Sequence, residues 1–135
     1  MPEITAINHV SITVTDLERS LPWYIEVLEL GKLLDQTLSD GSSYVLIGKP
    51  DFSMCIGLHI HPTNSGERFS EARTGLDHVS FLVPSRADLD HWQEHLREFG
   101  VPHSPISDQP GYSVLVFRDP DNVQLELMAV LAAPN

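Results

Sequence analysis

Residues 76–81 (LDHVSF) nearly repeat residues 7–12 (INHVSI). Both stretches contain His-Val-Ser in the same places, and both belong to runs in which apolar and polar residues alternate. Such alternation is typical of a β-strand with one buried face. The two histidines, His9 and His78, lie 69 positions apart (78 − 9), about half of the 135-residue chain. A histidine repeated at the same point of a repeated strand suggests an internal duplication that brings two imidazoles together.

The offset of 69 residues recurs beyond the opening motif. It relates four further landmarks, the last after a one-residue insertion: Trp23 with Trp92, Gly31 with Gly100, residues 45–47 (VLI) with 114–116 (VLV), and residues 49–51 (KPD) with 119–121 (DPD). Landmarks that recur in the same order indicate a duplicated unit. The hydrophobic pattern predicts the order β-α-β-β-β in each half.

The individual elements follow from periodicity and from breakers. In the first half we predict strands at residues 7–14, 32–39, 43–48 and 52–61. The first helix should begin near Ser20, because Pro22 would be costly deeper inside a helix, and should end at a left-handed Gly31. In the second half we predict a helix over residues 86–99, closed by Gly100, and strands at 76–83, 103–108, 112–118 and 123–130.

These elements predict a single domain, residues 1–135, made of two modules. The first module covers residues 5–62 and the second covers residues 76–131, with residues 63–75 as the connecting loop. A chain of this length is long enough to bury a core without covalent staples. Composition agrees, since 41% of the residues are hydrophobic and 20% are charged.

Charge and cysteine content narrow the function. The formal net charge of −11 argues against nucleic acid as a partner, because such binding depends on Lys and Arg at phosphates. The acidity would suit a cationic ligand, or it simply keeps the protein soluble. The lone Cys55 rules out a disulfide within the chain and fits a reducing compartment, so we expect a cytoplasmic protein. We see neither a signal-peptide pattern nor an apolar run long enough to span a membrane.

Three side chains form a candidate metal site. His9 and His78 occupy matching repeat positions and share the polar side of their strands. Glu126 lies between Leu125 and Leu127 on the last strand, where a carboxylate is costly unless it is paired or metal-bound. Two imidazoles and a carboxylate bind divalent metals with positions left open. The alternative for Glu126 is a solvated strand face.

A fourth ligand is expected on the last strand of the first half. The repeat places the counterpart of Glu126 at Ile56–Gly57, where no side chain can bind a metal. His59 and His61 follow on the same face as Gly57, and we predict His59 as the ligand, with His61 or neither as alternatives. Other candidates have simpler interpretations: His91 and His95 as a solvated helix face, and Cys55 as a packing residue.

The chain resembles the vicinal oxygen chelate superfamily, which includes glyoxalase I, extradiol dioxygenases, methylmalonyl-CoA epimerase, and fosfomycin and bleomycin resistance proteins. The resemblance covers roughly residues 5–130. The stretches that carry it are residues 8–10 (NHV), 16–20 (DLERS), 23–24 (WY), 75–81 (GLDHVSF) and 117–127 (FRDPDNVQLEL). It implies an α+β fold of two tandem β-α-β-β-β modules that form one curved, mostly antiparallel sheet-lined cavity.

The resemblance also implies a site and a chemistry. Metal ligands on the first and last strands of each half correspond to His9, His59, His78 and Glu126, with Glu126 or His59 as general base. They would hold one divalent metal ion (Fe, Ni, Co, Mn or Zn) that binds substrate oxygens and stabilises an enolate-like intermediate. A lyase or isomerase is favoured and a ring-cleaving dioxygenase is the other branch. The alternative is a non-catalytic protein that sequesters a small, antibiotic-like, cationic ligand. A homodimer is expected.

Overall fold

The computed structural model describes residues 1–131, and it divides into two compact units. The first unit is residues 1–67, and the second begins at Arg68. Within the described part, each unit contains one helix and one four-stranded mixed sheet. The predicted α+β class and the tandem β-α-β-β-β order are therefore confirmed. Among the helices described, none is long and apolar enough to cross a membrane.

The first unit builds its sheet around a parallel pair. Its elements are β1 (Val10–Thr13), α1 (Leu17–Leu28), β2 (Gly31–Thr37), β3 (Ser43–Gly48) and β4 (Cys55–Ile60). The strand order is β1-β4-β3-β2, in which β1 runs parallel to β4 and the other neighbours are antiparallel. The first and last strands of the unit are therefore adjacent, which brings residues distant in sequence side by side.

The second unit repeats this topology. Its elements are β5 (Val79–Val83), α2 (Arg86–Glu98), β6 (Ser107–Gln109), β7 (Tyr112–Arg118) and β8 (Gln124–Val130), in the sheet order β5-β8-β7-β6. The parallel registers also agree: 46 residues separate the paired Val10 and Ile56, and 46 separate the paired Val79 and Leu125. The duplication inferred from sequence thus extends to strand pairing.

One predicted correspondence between the halves is shifted by a residue. Val45 pairs with Leu58, and Leu115 pairs with Leu127, so Val45 corresponds to Leu115 and not to Val114. Burial agrees, since Val45 is 4% exposed and Leu115 is fully buried, whereas Val114 is half-buried. The offset is therefore 70 on β3 and β7 but 69 on the parallel pairs, and the extra residue of the second half precedes β7.

The first helix begins earlier than predicted. Asp16 is its N-cap: the side chain accepts a hydrogen bond from Glu18 N at 3.0 Å, and the Asp16 carbonyl accepts one from Ser20 N at 2.9 Å. These bonds close the first turn ahead of Ser20, so the predicted start there is wrong. Pro22 consequently lies inside the helix, where it lacks the N–H that would bond one turn back.

The end of the first helix and one strand also differ from prediction. Glu29, with φ 55°, takes the left-handed position predicted for Gly31, and Gly31 instead opens β2. The strand predicted at residues 103–108 is mostly absent, because Pro105 cannot donate to a sheet ladder. His103 keeps a single bridge to Phe117, and β6 starts only at Ser107. Gly100, with φ 66°, follows α2 as predicted.

Each sheet has one apolar face and one more polar face. The apolar face is buried and its unit's helix packs against it; its residues are Val45, Ile47, Ile56 and Leu58 in the first unit and Leu115, Phe117, Leu125 and Leu127 in the second. Burying one such side chain contributes about 1.5–3 kcal/mol. Because period two fixes which residues point away, the opposite face receives the polar candidates for a site.

Candidate metal centre

The two repeated histidines lie one residue ahead of β1 and β5 and are held in the same way. His78 Nδ1 is 2.7 Å from Asp77 Oδ1, and His9 Nδ1 is 2.7 Å from Asn8 Oδ1. Both partners are oxygen acceptors, which favours the neutral tautomer with its proton on Nδ1 in each ring. The Nε2 lone pair of each imidazole is thereby left available for a metal ion.

Glu126 is positioned by the parallel pairing of β5 with β8. It is opposite Ser80, and the Ser80 hydroxyl donates a hydrogen bond of 2.8 Å to Glu126 Oε1. The side chain is half-buried on the face that also carries Gln124 and Met128, as the alternation predicted. One carboxylate oxygen is engaged and the other, Oε2, is available to a ligand.

In the first unit a glycine takes the place of that carboxylate. Ser11 pairs with Gly57 as Ser80 pairs with Glu126, and His59 pairs two residues further on with Thr13. A Cβ built on Gly57 would lie only 2.5 Å from Ser11 Oγ and 3.4 Å from His59 Nε2. The His59 imidazole therefore reaches back along β4 and covers the position that a side chain at residue 57 would use.

Stacking fixes the ring of His59. Its centroid lies 4.9 Å from that of Tyr44 with an interplanar angle of 15°, and 5.9 Å from that of His61 at 18°. The Tyr44 hydroxyl donates a 2.8 Å hydrogen bond to Gln36 Oε1, which holds the stacking partner in place. Near-parallel rings at this distance stabilise one orientation of the imidazole.

The surroundings also keep His59 uncharged. Burial lowers the pKa of His59, and the positive charges that His61 and His9 can carry lower it further. A lowered pKa means that His59 is neutral at pH 7. A neutral imidazole can donate a lone pair to a metal or accept a proton, and a protonated one can do neither.

The structure assembles the predicted residues two by two. The first unit contains His9, just ahead of β1, and His59 on the parallel neighbour β4, where it is opposite Thr13. The second contains His78, just ahead of β5, and Glu126 on the parallel neighbour β8, where it is opposite Ser80 and thus two residues nearer to its histidine. Within either unit, no group of three or more His, Cys, Asp or Glu side chains among the described residues could hold a metal. The donors themselves fit a divalent ion, since each pair offers free nitrogen or carboxylate oxygen atoms.

The remaining sequence candidates have ordinary surroundings. His91 is exposed on α2, and the His95 ring packs at 5.2 Å from Trp92 and 4.9 Å from Phe99. Cys55 is buried, with Sγ 3.7 Å from the carbonyl oxygen of Phe52. The surroundings of His91 and Cys55 match the surface and packing roles expected for them, whereas His95 is half-buried and does not lie on the predicted solvated face.

Sequence reasoning missed the residues that support the site. Ser80 was visible as the third member of the repeated His-Val-Ser motif, on the same face as His78, but its bond to Glu126 was not anticipated. The contribution of Tyr44 was not predicted, because its stacking on His59 depends on the register between β3 and β4. Gly57 did carry a signal, because a glycine inside a strand often marks a close approach.

A family model and a solved structure that match this chain carry the same family description. The model of the family described as Glyoxalase/Bleomycin resistance protein/Dioxygenase superfamily matches residues 6–127. A solved domain of that description from Frankia sp. EAN1pec is 36% identical, with a TM-score of 0.86, over 96% of this chain and 100% of that one. YwkD of Bacillus subtilis, an uncharacterized protein, is 29% identical over 92% of this chain and 96% of its own length. The metallothiol transferase FosB of Staphylococcus saprophyticus is 25% identical over 92% of this chain and 76% of its own.

Proposed function

Because the chain belongs to the glyoxalase/bleomycin resistance protein/dioxygenase superfamily, we propose that it is a metal-dependent enzyme acting on a small oxygenated organic molecule. In this proposal His9, His78 and Glu126 hold one divalent metal ion. His59 takes the fourth position, as a ligand or as the base that accepts a proton from the substrate. We favour a lyase or isomerase over a ring-cleaving dioxygenase.

The observation that carries the proposal is that the two repeated histidines have the same hydrogen-bond arrangement in the two units. His9 and His78 both have Nδ1 engaged by an oxygen acceptor 2.7 Å away, which leaves Nε2 free. Surface histidines without a binding role have no need for a hydrogen bond that fixes their tautomer, and here two histidines at equivalent positions both have one. The similarity to the metallothiol transferase FosB supports the metal as well.

A bound divalent ion would act as a Lewis acid that polarises the substrate's oxygen atoms. The protein's own residues then have separate tasks. Ser80 keeps the Glu126 carboxylate oriented through its 2.8 Å hydrogen bond. His59, neutral and held against Tyr44, takes up at Nε2 a proton from the carbon next to the substrate carbonyl. The C–H electron pair moves toward the carbonyl oxygen, and His59 can return the proton to a neighbouring atom.

Metal analysis tests the ligand set. Full-length protein purified without chelators or a nickel column should contain near-stoichiometric divalent metal, and His78→Ala and Glu126→Gln should lose most of it. His91→Ala is the matched control, because that imidazole is exposed on α2. Trace metal in the wild type that His78→Ala leaves unchanged would contradict the proposal.

The role of His59 is tested by comparing metal content with activity in His59→Gln. Loss of turnover with full metal content would assign His59 as the proton acceptor, whereas loss of metal would make it a ligand. Deuterium uptake from heavy water into α-hydroxycarbonyl compounds, followed by NMR, reports the proposed proton transfer. Oxygen consumption with catechols reports the dioxygenase branch.

The acidity of the chain favours a second candidate, a binding protein for a small cationic ligand. A net charge of −11 would attract such a molecule, and the family's description includes bleomycin resistance proteins. Calorimetric titration of metal-free protein with bleomycin distinguishes the two. Tight binding that needs no metal, together with no deuterium exchange, would replace the enzyme proposal by this one.

We also propose that the protein forms a homodimer in the cytoplasm. Each unit carries only half of the proposed ligand set, so the pairs could be completed within one chain or by a second copy. Analytical ultracentrifugation of the full chain measures the oligomeric state directly. A strict monomer that still binds one metal would exclude a contribution from a second copy.

A further inference from the structure

A chain of hydrogen bonds in the second unit ends on His78. Gln124 Nε2 donates to Asp77 Oδ1 at 3.0 Å and to the Asp77 carbonyl at 3.2 Å, and the same Oδ1 accepts from His78 Nδ1 at 2.7 Å. Arg118 Nη2 donates to Gln124 Oε1 at 3.2 Å. The amide of Gln124 is therefore oriented by Arg118, with its donor side directed at Asp77.

The Arg118 end of this series of hydrogen bonds is fixed more firmly than the His78 end. Arg118 forms a two-pronged ion pair with Glu71, with both N···O distances 3.0 Å, and donates to the carbonyl of Asn122 at 3.2 Å. The segment that carries Glu71 is tied down as well, since Phe69 N donates to the Asp121 carbonyl at 2.9 Å. Bidentate guanidinium–carboxylate pairs restrict geometry more than single contacts do.

The first unit has a simpler arrangement at the equivalent place. Arg118 pairs with Gln124 across β7 and β8, and the corresponding pair across β3 and β4 is Gly48 with Cys55. Neither can supply a guanidinium or an amide. His9 is held by the neutral Asn8 at the same 2.7 Å at which His78 is held by the carboxylate of Asp77. The two repeated histidines thus differ in the residue that accepts their Nδ1 hydrogen bond and in the contacts that hold that residue.

We propose that Asp77, held by Gln124 and Arg118, is a positioning residue that fixes His78 as the Nδ1–H tautomer and makes it the stronger metal-binding imidazole of the two. This inference rests on the proposed function, in which His78 binds the metal. A carboxylate that accepts Nδ1–H fixes the ring orientation and raises the electron density at Nε2. An amide oxygen fixes the ring but contributes no charge.

The exposure of these groups explains why such a network is needed. The His78 side chain is 42% exposed and that of Asp77 is 64% exposed, so packing alone does not hold either one. Without an anchor, an exposed imidazole samples several rotamers and both tautomers. Gln124 bridges from the sheet to Asp77, and Arg118 connects that bridge to the ion pair with Glu71.

The test uses the full chain with two independent measurements. Long-range proton–nitrogen NMR of ¹⁵N-histidine-labelled, metal-free protein at alkaline pH reports the tautomer of His78, whose signals are assigned by their loss in His78→Gln. Competition between the protein and a chelator for Zn²⁺ reports affinity. The variants are Asp77→Ala, Asp77→Asn and Gln124→Leu, and Asp35→Ala is the control because that exposed carboxylate lies in the first unit, where it forms an ion pair with Lys32 on β2.

We expect Asp77→Ala to give mixed His78 tautomers and about 10–100-fold weaker Zn²⁺ binding. Asp77→Asn should keep the Nδ1–H form and weaken binding less, Gln124→Leu should fall between wild type and Asp77→Ala, and Asp35→Ala should match wild type. Circular dichroism checks that each variant is folded.

Two results would overturn the inference: a single Nδ1–H tautomer in Asp77→Ala, or unchanged Zn²⁺ affinity in all three network variants. Wild-type protein that binds no Zn²⁺ would count against the proposed function instead. The tautomer measurement would then decide alone whether Asp77 positions His78.

Discussion

The close approach at Gly57 yields a quantitative prediction for Gly57→Ala. The new Cβ would lie 2.5 Å from Ser11 Oγ, which is closer than real Cβ contacts come, and 3.4 Å from His59 Nε2. Overpacking of this kind costs about 1–3 kcal/mol. Replacing a strand glycine by alanine returns about 0.5–1 kcal/mol of backbone entropy. The free energy of unfolding should therefore fall by up to about 2.5 kcal/mol.

The same geometry predicts a rescue. Ser11→Ala removes the hydroxyl at 2.5 Å and leaves Ser11 Cβ at 3.4 Å as the nearest atom of that residue, which is an ordinary contact. In that background Gly57→Ala should be neutral or stabilising. Because Ser11 is exposed, Ser11→Ala alone should change stability by less than about 0.5 kcal/mol. The coupling energy between the two substitutions should be about 1–3 kcal/mol.

A double-mutant cycle measured by urea unfolding gives this coupling directly. The four proteins should unfold with a common slope, so that differences in midpoint report stability. Additivity within about 0.3–0.5 kcal/mol would refute the reasoning, because it would mean that the Ser11 hydroxyl rotates away without cost. The stacking of His59 on Tyr44 offers an internal check, since the His59 signals should shift in Gly57→Ala and recover in the double variant.

Two further predictions concern a salt bridge and a helix. Arg118 lowers the pKa of Glu71 to about 2 from an ordinary 4.5, so their pair stabilises the fold above pH 4.5 and its contribution disappears as the pH falls toward 2. The stability difference between wild type and Glu71→Gln should therefore be present at pH 7 and vanish near pH 2 in unfolding curves, and a pH-independent difference would contradict this. Pro22→Ala should raise the free energy of unfolding by about 1–2 kcal/mol, since it restores a helix N–H at an exposed position. Glu26→Ala, exposed on the same helix, is the control, and equal effects of the two would contradict the assignment to the proline.

Much of the fold was predictable because the residues that reveal the duplication have strong preferences for particular secondary structures. The His-Val-Ser repeat identified two equivalent strands, and Gly100 marked a helix end at which φ is indeed positive. The face of Glu126 followed from its leucine neighbours and is confirmed by the burial pattern of β8. Alternating patterns carry the phase of a strand, so they predict which side chains share a face.

The misassigned offset on β3 shows where such patterns fail. Residues 45–47 and 114–116 are continuously apolar, so a shift of one residue leaves the pattern unchanged. Only the pairing of β3 with β4 and of β7 with β8 shows which of these residues are equivalent and which face they occupy. The start of the first helix was mispredicted for another reason. Asp16 and Ser20 are both good N-cap residues, and sequence alone does not choose between them. In the structure, the hydrogen bond from Ser20 N to the Asp16 carbonyl shows that Asp16 is the cap.

For the same physical reasons, sequence patterns supply only part of the arrangement of the candidate site. His9, His78 and Glu126 were chosen from repeat position and strand face, which sequence records. The choice of His59 depends on a rotamer that reaches back over Gly57, and sequence does not encode side-chain direction at that level. The network behind His78 joins residues 71, 77, 118 and 124, whose proximity follows from the parallel pairing of β5 with β8, the antiparallel pairing of β7 with β8, and the ion pair between residues 118 and 71.

That parallel pairing has a consequence for how each unit folds. Strands β2, β3 and β4 are neighbours in sequence and can pair through short connections, whereas β1 must wait for β4, since 46 residues separate Val10 from Ile56. Closing the longer loop costs more entropy, so we expect β1 to dock last. During synthesis, His9 would leave the ribosome early and meet its partner strand only after about a third of the chain has followed. Formation of each donor pair would thus coincide with completion of its sheet.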